Sequence, residues 1–152
     1  MQTTMGRVDL KLFSEVAPLA VDNFECLAMR GYYDSMVFHR VIRNFIIQSG
    51  DSTGTGADGR SCWGQPFPDE VDTTLKYDRP GRLGMANHGP NTNESQFFIT
   101  VIPTPWLNNR HTIFGEVLAG MEVVYAISEV ETKPPGRPTV AVLIDSLRIE
   151  ER

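Results

Sequence analysis

Apolar and polar residues alternate through "GRVDLKLF", where Val8, Leu10 and Leu12 fall between Arg7, Asp9 and Lys11. That is the period of a strand with one buried face. The period then lengthens. Between residues 17 and 31, Ala17, Ala20, Val21, Phe24, Leu27 and Ala28 recur at helical spacing, with Pro18 suited to the first turn and Gly31 to the position past the last. "MVFHRVI" and "FIIQSG" predict two strands joined by a turn at Arg43-Asn44, because Asn tolerates positive φ. A long irregular stretch, Asp51 to Gly81, follows, rich in Gly, Pro, Asp and Thr. Trp63, Phe67 and Tyr77 within it predict an ordered, packed segment, and loops of such length are commonly functional when ordered. "RLGMAN", "QFFITVI" and "HTIFGEVL" supply further short strands. "GMEVVYAISEV" sets Met121, Val124, Tyr125 and Ile127 at helical spacing. "KPPGRP" reads as a rigid linker before a closing strand in "TVAVLIDSLRIEE", with Val140, Val142 and Ile144 on one face.

Many short strands, two helices and no regular strand–helix alternation disfavour a parallel sheet. The pattern predicts a mainly β chain: a closed antiparallel barrel with helices covering its open ends, which removes exposed strand edges. A length of 152 residues suits one domain spanning 1–152. Hydrophobic residues at 41% and charged residues at 22% are ordinary for a globular protein. The net charge of −5 argues against direct nucleic-acid binding. No apolar run approaches the roughly 18 residues of a membrane span, and no secretory signal opens the chain. Cys26 and Cys62 lack metal-type spacing, and two cysteines make no disulfide framework. A reducing compartment is expected. His39, His88 and His111 stand singly, so no metal site is expected.

Two motifs resemble chemistry without its context. "GTGADG", Gly54 to Gly59, matches G-x-G-x-x-G, yet "RSCWGQPFPDE" after it has no helical period to receive a pyrophosphate. Glycines serving a tight loop explain it. His39, Asp51 and Ser95 could be imagined as a nucleophilic triad, but no serine sits in a G-x-S-x-G elbow.

A third constellation survives. "FHRVIRNFIIQSGD" carries His39, Arg40, Phe45 and Gln48 among apolar residues, and "SQFFI" carries Gln96 beside Phe97 and Phe98. Strand alternation places Phe38, Arg40 and Ile42 on one face, with His39 and Val41 opposite; Gln96 and Phe98 likewise share a side. A few fixed donors among aromatic residues are the usual composition of a ligand site. The small polar residues of "ANHGPNTNES", directly before Phe97-Phe98, would let another backbone approach closely.

"FHRVIRNFIIQSGD", "MANHGPNTNESQFFIT" and "WLNNRHTIFGEV" resemble the three signature stretches of the cyclophilin family of peptidyl-prolyl isomerases. The likeness runs from about Thr4 to the last strand. The loop "GTGADGRSCWG" and the stretch "TPWLNNRHTIFGEV" look most like the divergent nuclear cyclophilins, including the WD-repeat-linked, spliceosome-associated ones. The resemblance implies an eight-stranded antiparallel barrel capped by two helices, acting as a monomer in the nucleus or cytoplasm and not secreted. It implies Arg40 as the catalytic residue, and a proline pocket of Phe45, Ile46, Phe98, Leu107 and His111 with Gln48 and Gln96 as polar partners. Ala86, Asn87 and His88 would line the substrate backbone, and Trp106 would sit at the rim, where a tryptophan accompanies cyclosporin binding. Proline-containing peptides and proteins are the implied substrates, spliceosomal proteins the implied associates, and no cofactor is needed. A proline-peptide docking module with little turnover is the rival expectation. Ile46 stands where the family more often has methionine, Asn44 where a turn glycine is common, and His88 where a small residue is usual. His39 is expected to be structural and hydrogen-bonded, and Phe97 to lie in the core.

Overall fold

Helix α1 (Pro18–Met29) forms where the apolar spacing placed it: Pro18 occupies the first turn, and Gly31 follows the end with φ of 71°. Its inner face buries Ala20, Val21, Phe24, Leu27 and Ala28. In the computed structural model, which describes residues 1–151, three short strands precede it: β1 (Gln2–Thr3), β2 (Gly6–Arg7) and β3 (Asp9–Leu12). After it come β4 (Met36–Val37), β5 (Arg40–Ile42) and β6 (Ile46–Ser49), then the irregular stretch, then β7 (Arg82–Met85), β8 (Phe97–Thr100) and β9 (Ile113–Ala119). Helix α2 (Met121–Ser128), β10 (Thr132–Lys133), β11 (Arg137–Pro138) and β12 (Leu143–Ser146) complete the order.

All strand pairs are antiparallel, in a six-stranded sheet β3-β9-β7-β8-β6-β5, a four-stranded sheet β2-β1-β12-β4 and the hairpin β10-β11. The chain is mainly β with two helices, as the pattern predicts. The ladders do not run as one closed ring of eight strands. Instead the chain itself crosses between sheets at two corners. β2 ends one sheet and β3 edges the other, with Val8 between them; β4 and β5 are related in the same way through Phe38 and His39. Bends at which a strand changes sheet are the normal corners of such packings.

Those corners overturn one facing argument. Phe38 does not share a face with Arg40, because the strand is broken between them: Phe38 lies in the main core while Arg40 is exposed. The core gathers Phe24, Tyr33, Phe97 and Phe114, with ring centroids 5.1–5.4 Å apart. Phe97 is core, as expected. Tyr125 and Val140 are exposed despite their spacing; α2 buries Val124 and Ile127, with Met121 and Val123 packed beside them against the core. "KPPGRP" is part of the β10–β11 hairpin rather than a linker, and the Val41 amide donates to the Gly136 carbonyl at 2.7 Å, docking the hairpin on β5. Two aromatic residues of the irregular stretch, Phe67 and Tyr77, are buried, while Trp63 is half exposed with its ring edge against Phe67.

Cys26 and Cys62, expected as free thiols, are joined in a disulfide with Cα atoms 6.1 Å apart. A pair separated by 36 residues leaves no local signal in the sequence. The bond ties α1 to the irregular stretch, and the expectation of a reducing compartment loses its support from the cysteines. Beside it the wholly buried Asn23 reaches two other segments: its amide donates to the Glu94 carbonyl at 2.7 Å, and its oxygen accepts from the Cys62 amide at 2.7 Å.

Substituting Asn23→Leu strands a buried carbonyl and a buried N–H, and should cost about 2–4 kcal/mol in urea denaturation; a loss within 0.5 kcal/mol, roughly the scatter of neutral surface changes, would contradict that role. Cys62→Ser should lower the unfolding free energy by about 2–4 kcal/mol under non-reducing conditions, and added reductant should bring the wild-type protein down to the same level.

Candidate functional site

The site starts from the β5–β6 hairpin, whose turn is closed by Asn44 at φ of 57°. Its register sets Arg40 opposite Gln48, and the next ladder sets Gln48 opposite Phe98. Gln96 precedes β8 on the same side as Phe98. The register therefore brings Arg40, Gln48, Gln96 and Phe98 together from residues far apart in sequence.

A hydrogen-bond relay links the polar members, and its direction is fixed at one end. Gln96 Nε2 donates to the carbonyls of Gly56 at 3.0 Å and Asp58 at 2.6 Å. Its Oε1 is thereby left to accept from Gln48 Nε2 at 2.9 Å, which leaves Gln48 Oε1 to accept from the Arg40 guanidinium at 3.2 Å. Two carbonyls thus determine which way both amides face. These carbonyls belong to the glycine loop, and the loop is organised by Asp51. The buried Asp51 carboxylate accepts from the Thr53 amide (2.8 Å) and hydroxyl (2.7 Å), the Gly56 amide (2.6 Å) and the Asp58 amide (3.2 Å). Burial alone would raise its pKa; the Thr53, Asp58 and Gly56 donors outweigh burial and hold it below the usual range. Gly50 lets the start of this loop pass against β8. Its φ is 105°, and a Cβ there would lie 2.6 Å from the Gln96 Cα.

The apolar members form a second cluster, apart from the main core. Ile46, Tyr77, Phe98 and Ile113 are buried, with Phe13, Phe45, Leu75, Ala86 and Leu107 packed against them and partly exposed. Phe98 stacks on Tyr77 with ring centroids 5.8 Å apart and meets the His111 ring edge-on at 5.5 Å. Gly84 lies beneath, where any Cβ would collide with the Tyr77 hydroxyl and the Phe98 ring. Phe45 contacts Trp106, 5.8 Å between centroids, and the Arg40 Cζ sits 5.8 Å from the Phe45 ring. Trp106 and Leu107 lie on a 3-10 helix, Pro105–Leu107, with Trp106 exposed at the rim. His111 Nδ1 lies 2.8 Å from the Met85 carbonyl, a contact that requires the Nδ1–H tautomer.

Ala86, Asn87 and His88 follow β7 directly. The Asn87 side chain donates to the Arg110 carbonyl at 3.0 Å, while neither main-chain group of Asn87 is bonded to another described residue. His88 is exposed and, with Asn87, Gln48 and Gln96, borders a depression of about 60 Å³. Every residue singled out in the sequence as a site member therefore falls in this neighbourhood. Tyr77, Ile113, Gly84 and the Asp51-organised loop were not foreseen as parts of it. The aromatic character of Tyr77 within an irregular stretch was the one available signal. Among the described residues no cluster of His, Cys, Asp or Glu could hold a metal ion.

The imagined triad does not exist: Ser95 Oγ donates to the Gly50 carbonyl at 2.6 Å, and His39 contacts neither partner by a hydrogen bond. His39 is structural without the expected hydrogen bond, since both ring nitrogens are buried and unpartnered. Burial lowers its pKa, Asp51 and the nearby Gln96 side chain oppose that shift, and Arg137 and Arg40 reinforce it.

The chain resembles known proteins along nearly its whole length. A family model described as "Cyclophilin type peptidyl-prolyl cis-trans isomerase/CLD" matches residues 1–149. The chain is 49% identical over 151 residues to peptidyl-prolyl cis-trans isomerase-like 1 of Gibberella zeae, covering 99% of this chain and 93% of that one. It is 53% identical over 138 residues to peptidyl-prolyl cis-trans isomerase CYP71 of Arabidopsis thaliana, covering 91% of this chain and 22% of the relative. For the mouse peptidylprolyl isomerase domain and WD repeat-containing protein 1, the match is 54% over 134 residues, 88% of this chain and 21% of the relative. The chain thus spans only roughly a fifth of the length of these last two relatives. A crystal structure of a Cryptosporidium parvum cyclophilin type peptidyl-prolyl cis-trans isomerase, obtained in the presence of the dipeptide Ala-Pro, superposes with a TM-score of 0.95. Its identity is 40%, over 99% of this chain and 96% of that one.

Because burial lowers the His39 pKa in the fold, the stabilising contribution of its neutral form is complete above its unfolded pKa of about 6.5. It declines as pH falls from there through the lower folded value. Urea unfolding across pH 7 to 5 should show that decline, and His39→Phe should flatten it. An equal decline in the variant would trace the effect to other groups.

Proposed function

Because the chain belongs to the cyclophilin-type peptidyl-prolyl cis-trans isomerase family, we propose that it catalyses rotation about X-Pro bonds by the amide-oriented Arg40 guanidinium beside the Phe45–Phe98 apolar patch. The observation that carries this reading is the relay ending on Arg40. The guanidinium has no ion pair among the described residues and is held at 3.2 Å by an uncharged amide.

An X-Pro bond turns slowly because resonance gives its C–N bond double-bond character, with a barrier of about 18–20 kcal/mol. Midway through rotation that resonance is lost, and the proline nitrogen becomes pyramidal with a lone pair able to accept a hydrogen bond. A guanidinium already aimed there stabilises the twisted state more than either planar isomer. Lowering the barrier by about 5–7 kcal/mol would accelerate rotation roughly 10⁴–10⁵-fold. Phe45, Ile46, Phe98, Leu107 and His111 hold the pyrrolidine ring, while Trp106 flanks it. The free main-chain groups of Asn87 pair with the substrate backbone as an added strand would. His88 borders the place of the residue before X-Pro and narrows it. No bond to carbon forms or breaks, so no nucleophile, metal or cofactor takes part.

Other elements of this reading rest on likeness. Trp106 at the rim supports cyclosporin binding. Relatives that carry this domain beside WD repeats support proline-containing clients within protein assemblies, spliceosomal ones included. The chain acts as a monomer, and the two sheets, joined at Val8 and at Phe38-His39, close as one barrel around the core.

In a coupled assay on a short X-Pro peptide, Arg40→Ala should lower kcat/KM by roughly 10²–10³-fold, the usual effect of removing one transition-state donor, while peptide binding changes little. Equal, slow turnover by both proteins with retained binding would replace this reading by a proline-peptide docking module.

A further inference from the structure

A second concavity lies at the C-terminal end of α1, away from the substrate contacts. It encloses about 470 Å³ between Leu27, Arg30 and Tyr32 on one side and residues 60–64 on the other. That is the size of a site for one or two side chains. Leu27 and Ser61 are buried in it, the Tyr32 hydroxyl is tied to Ser95 Oγ at 3.1 Å, and Trp63 offers a half-exposed ring. Its far wall is fixed before any ligand arrives, by the Cys26–Cys62 bond, by Asn23 on the Cys62 amide and by the Arg60 amide on Ser95 Oγ at 3.0 Å.

Two cationic side chains border this cavity in a chain whose net charge is −5. Acidic residues outnumber basic ones, 19 to 14, and ion pairs occupy Arg7, Arg43, Arg79, Arg82 and Arg148. Arg30 and Arg60 have none among the described residues. The Arg30 guanidinium makes a single long bond to the Cys62 carbonyl, 3.4 Å, and that of Arg60 makes none. Both are exposed, and both border this one cavity. Two uncommitted guanidiniums flanking Leu27, Tyr32 and Trp63 complement a carboxylate next to an apolar side chain.

We propose that this cavity docks an acidic peptide segment of a partner protein, a carboxylate held between Arg30 and Arg60 and the neighbouring aromatic or aliphatic side chain against Tyr32 and Trp63. None of its lining residues contacts the proposed proline substrate. The isomerase site therefore remains open while the partner is held, and an anchored partner raises the effective concentration of its own X-Pro bonds there.

The test uses a fluorescein-labelled, proline-free peptide, Asp-Glu-Phe-Glu-Asp, which the proline site has no ring to hold. Its control is the amide form Asn-Gln-Phe-Gln-Asn. Anisotropy titration at low salt should show the acidic peptide binding at least about tenfold more tightly than the amide form, from two charge-assisted contacts. Added salt should weaken it. Arg30→Glu with Arg60→Glu should abolish that preference and leave X-Pro turnover within about twofold, because both side chains lie on the surface and outside the substrate contacts. Arg40→Ala should bind the peptide as the wild type does. The proposal is overturned by no binding of the acidic peptide, by equal affinity for both peptides, by undiminished binding to the double variant, or by loss of binding in Arg40→Ala.

Discussion

Everything at the site depends on how one guanidinium is aimed. Arg40 projects from an exposed strand position and has a long flexible stem, so by itself it would sample many rotamers. Two glutamines and two loop carbonyls prevent that. The partners are uncharged, which matters for the chemistry. A carboxylate in place of Gln48 would orient Arg40 as well, but it would also neutralise the field at the substrate. Amide oxygens direct the N–H groups and leave the positive charge whole, which is what the proposed stabilisation of a pyramidal nitrogen requires.

The aromatic pair on β8 shows how the fold supplies the apolar half. Phe97 and Phe98 alternate across the strand, so one ring enters the main core with Phe24 and Tyr33 while the other stacks on Tyr77 in the site. The site ring is thereby mounted on a strand whose opposite face is pinned in the main core. Gly84 on the neighbouring strand completes the support by leaving room for Phe98 and the Tyr77 hydroxyl. Burial pushes the Tyr77 phenol well up, so it stays a neutral donor to the His111 carbonyl at 3.1 Å. That bond fixes the backbone of the residue bordering the ring.

Part of the candidate site was legible in the sequence: Arg40, Gln48 and Gln96 stand in or beside apolar strands, whereas Trp106, Leu107 and His111 were named only from the family resemblance. Helix α1 and the Asn44 turn were legible because periodicity and positive φ are local properties. Where tertiary packing decides, the same reasoning failed. Phe38 and Arg40 part company because the chain turns a corner between sheets. Val140 keeps the spacing of Val142 and Ile144 but is exposed where those two are buried, and Tyr125 sits on the outer side of a two-turn helix. The disulfide and the role of Asp51 depend on contacts that no periodicity records. His39 carries two unsatisfied nitrogens in a closed site, a cost that sequence cannot reveal.

The irregular stretch from Asp51 to Gly81 unites these failures. It has no ladder beyond a single bridge, Phe67 to Asn93; backbone bonds from the Thr104 amide to the Tyr77 carbonyl and from the Gly81 amide to the Thr100 carbonyl hold its far end, and side chains supply the other anchors. At one end, Asp51 gathers the loop amides and turns two carbonyls toward Gln96, while Arg137 donates to the Gly54 carbonyl from the β10–β11 hairpin. In the middle, the disulfide and Asn23 fasten Cys62 to α1. Near the other end, the buried Arg82 holds both residues that flank Tyr77 in sequence, donating to the Lys76 carbonyl at 3.0 Å and pairing with Asp78, and it also pairs with Glu116. Each anchor removes freedom where a neighbouring function needs a fixed group: the relay, the wall of the second cavity, the ring behind Phe98. Fixing so long a segment costs conformational entropy at every residue, and a loop that merely joined β6 to β7 would not need anchoring at three separate points. The segment is therefore best understood as the scaffold on which the polar and aromatic halves of the site are set in register.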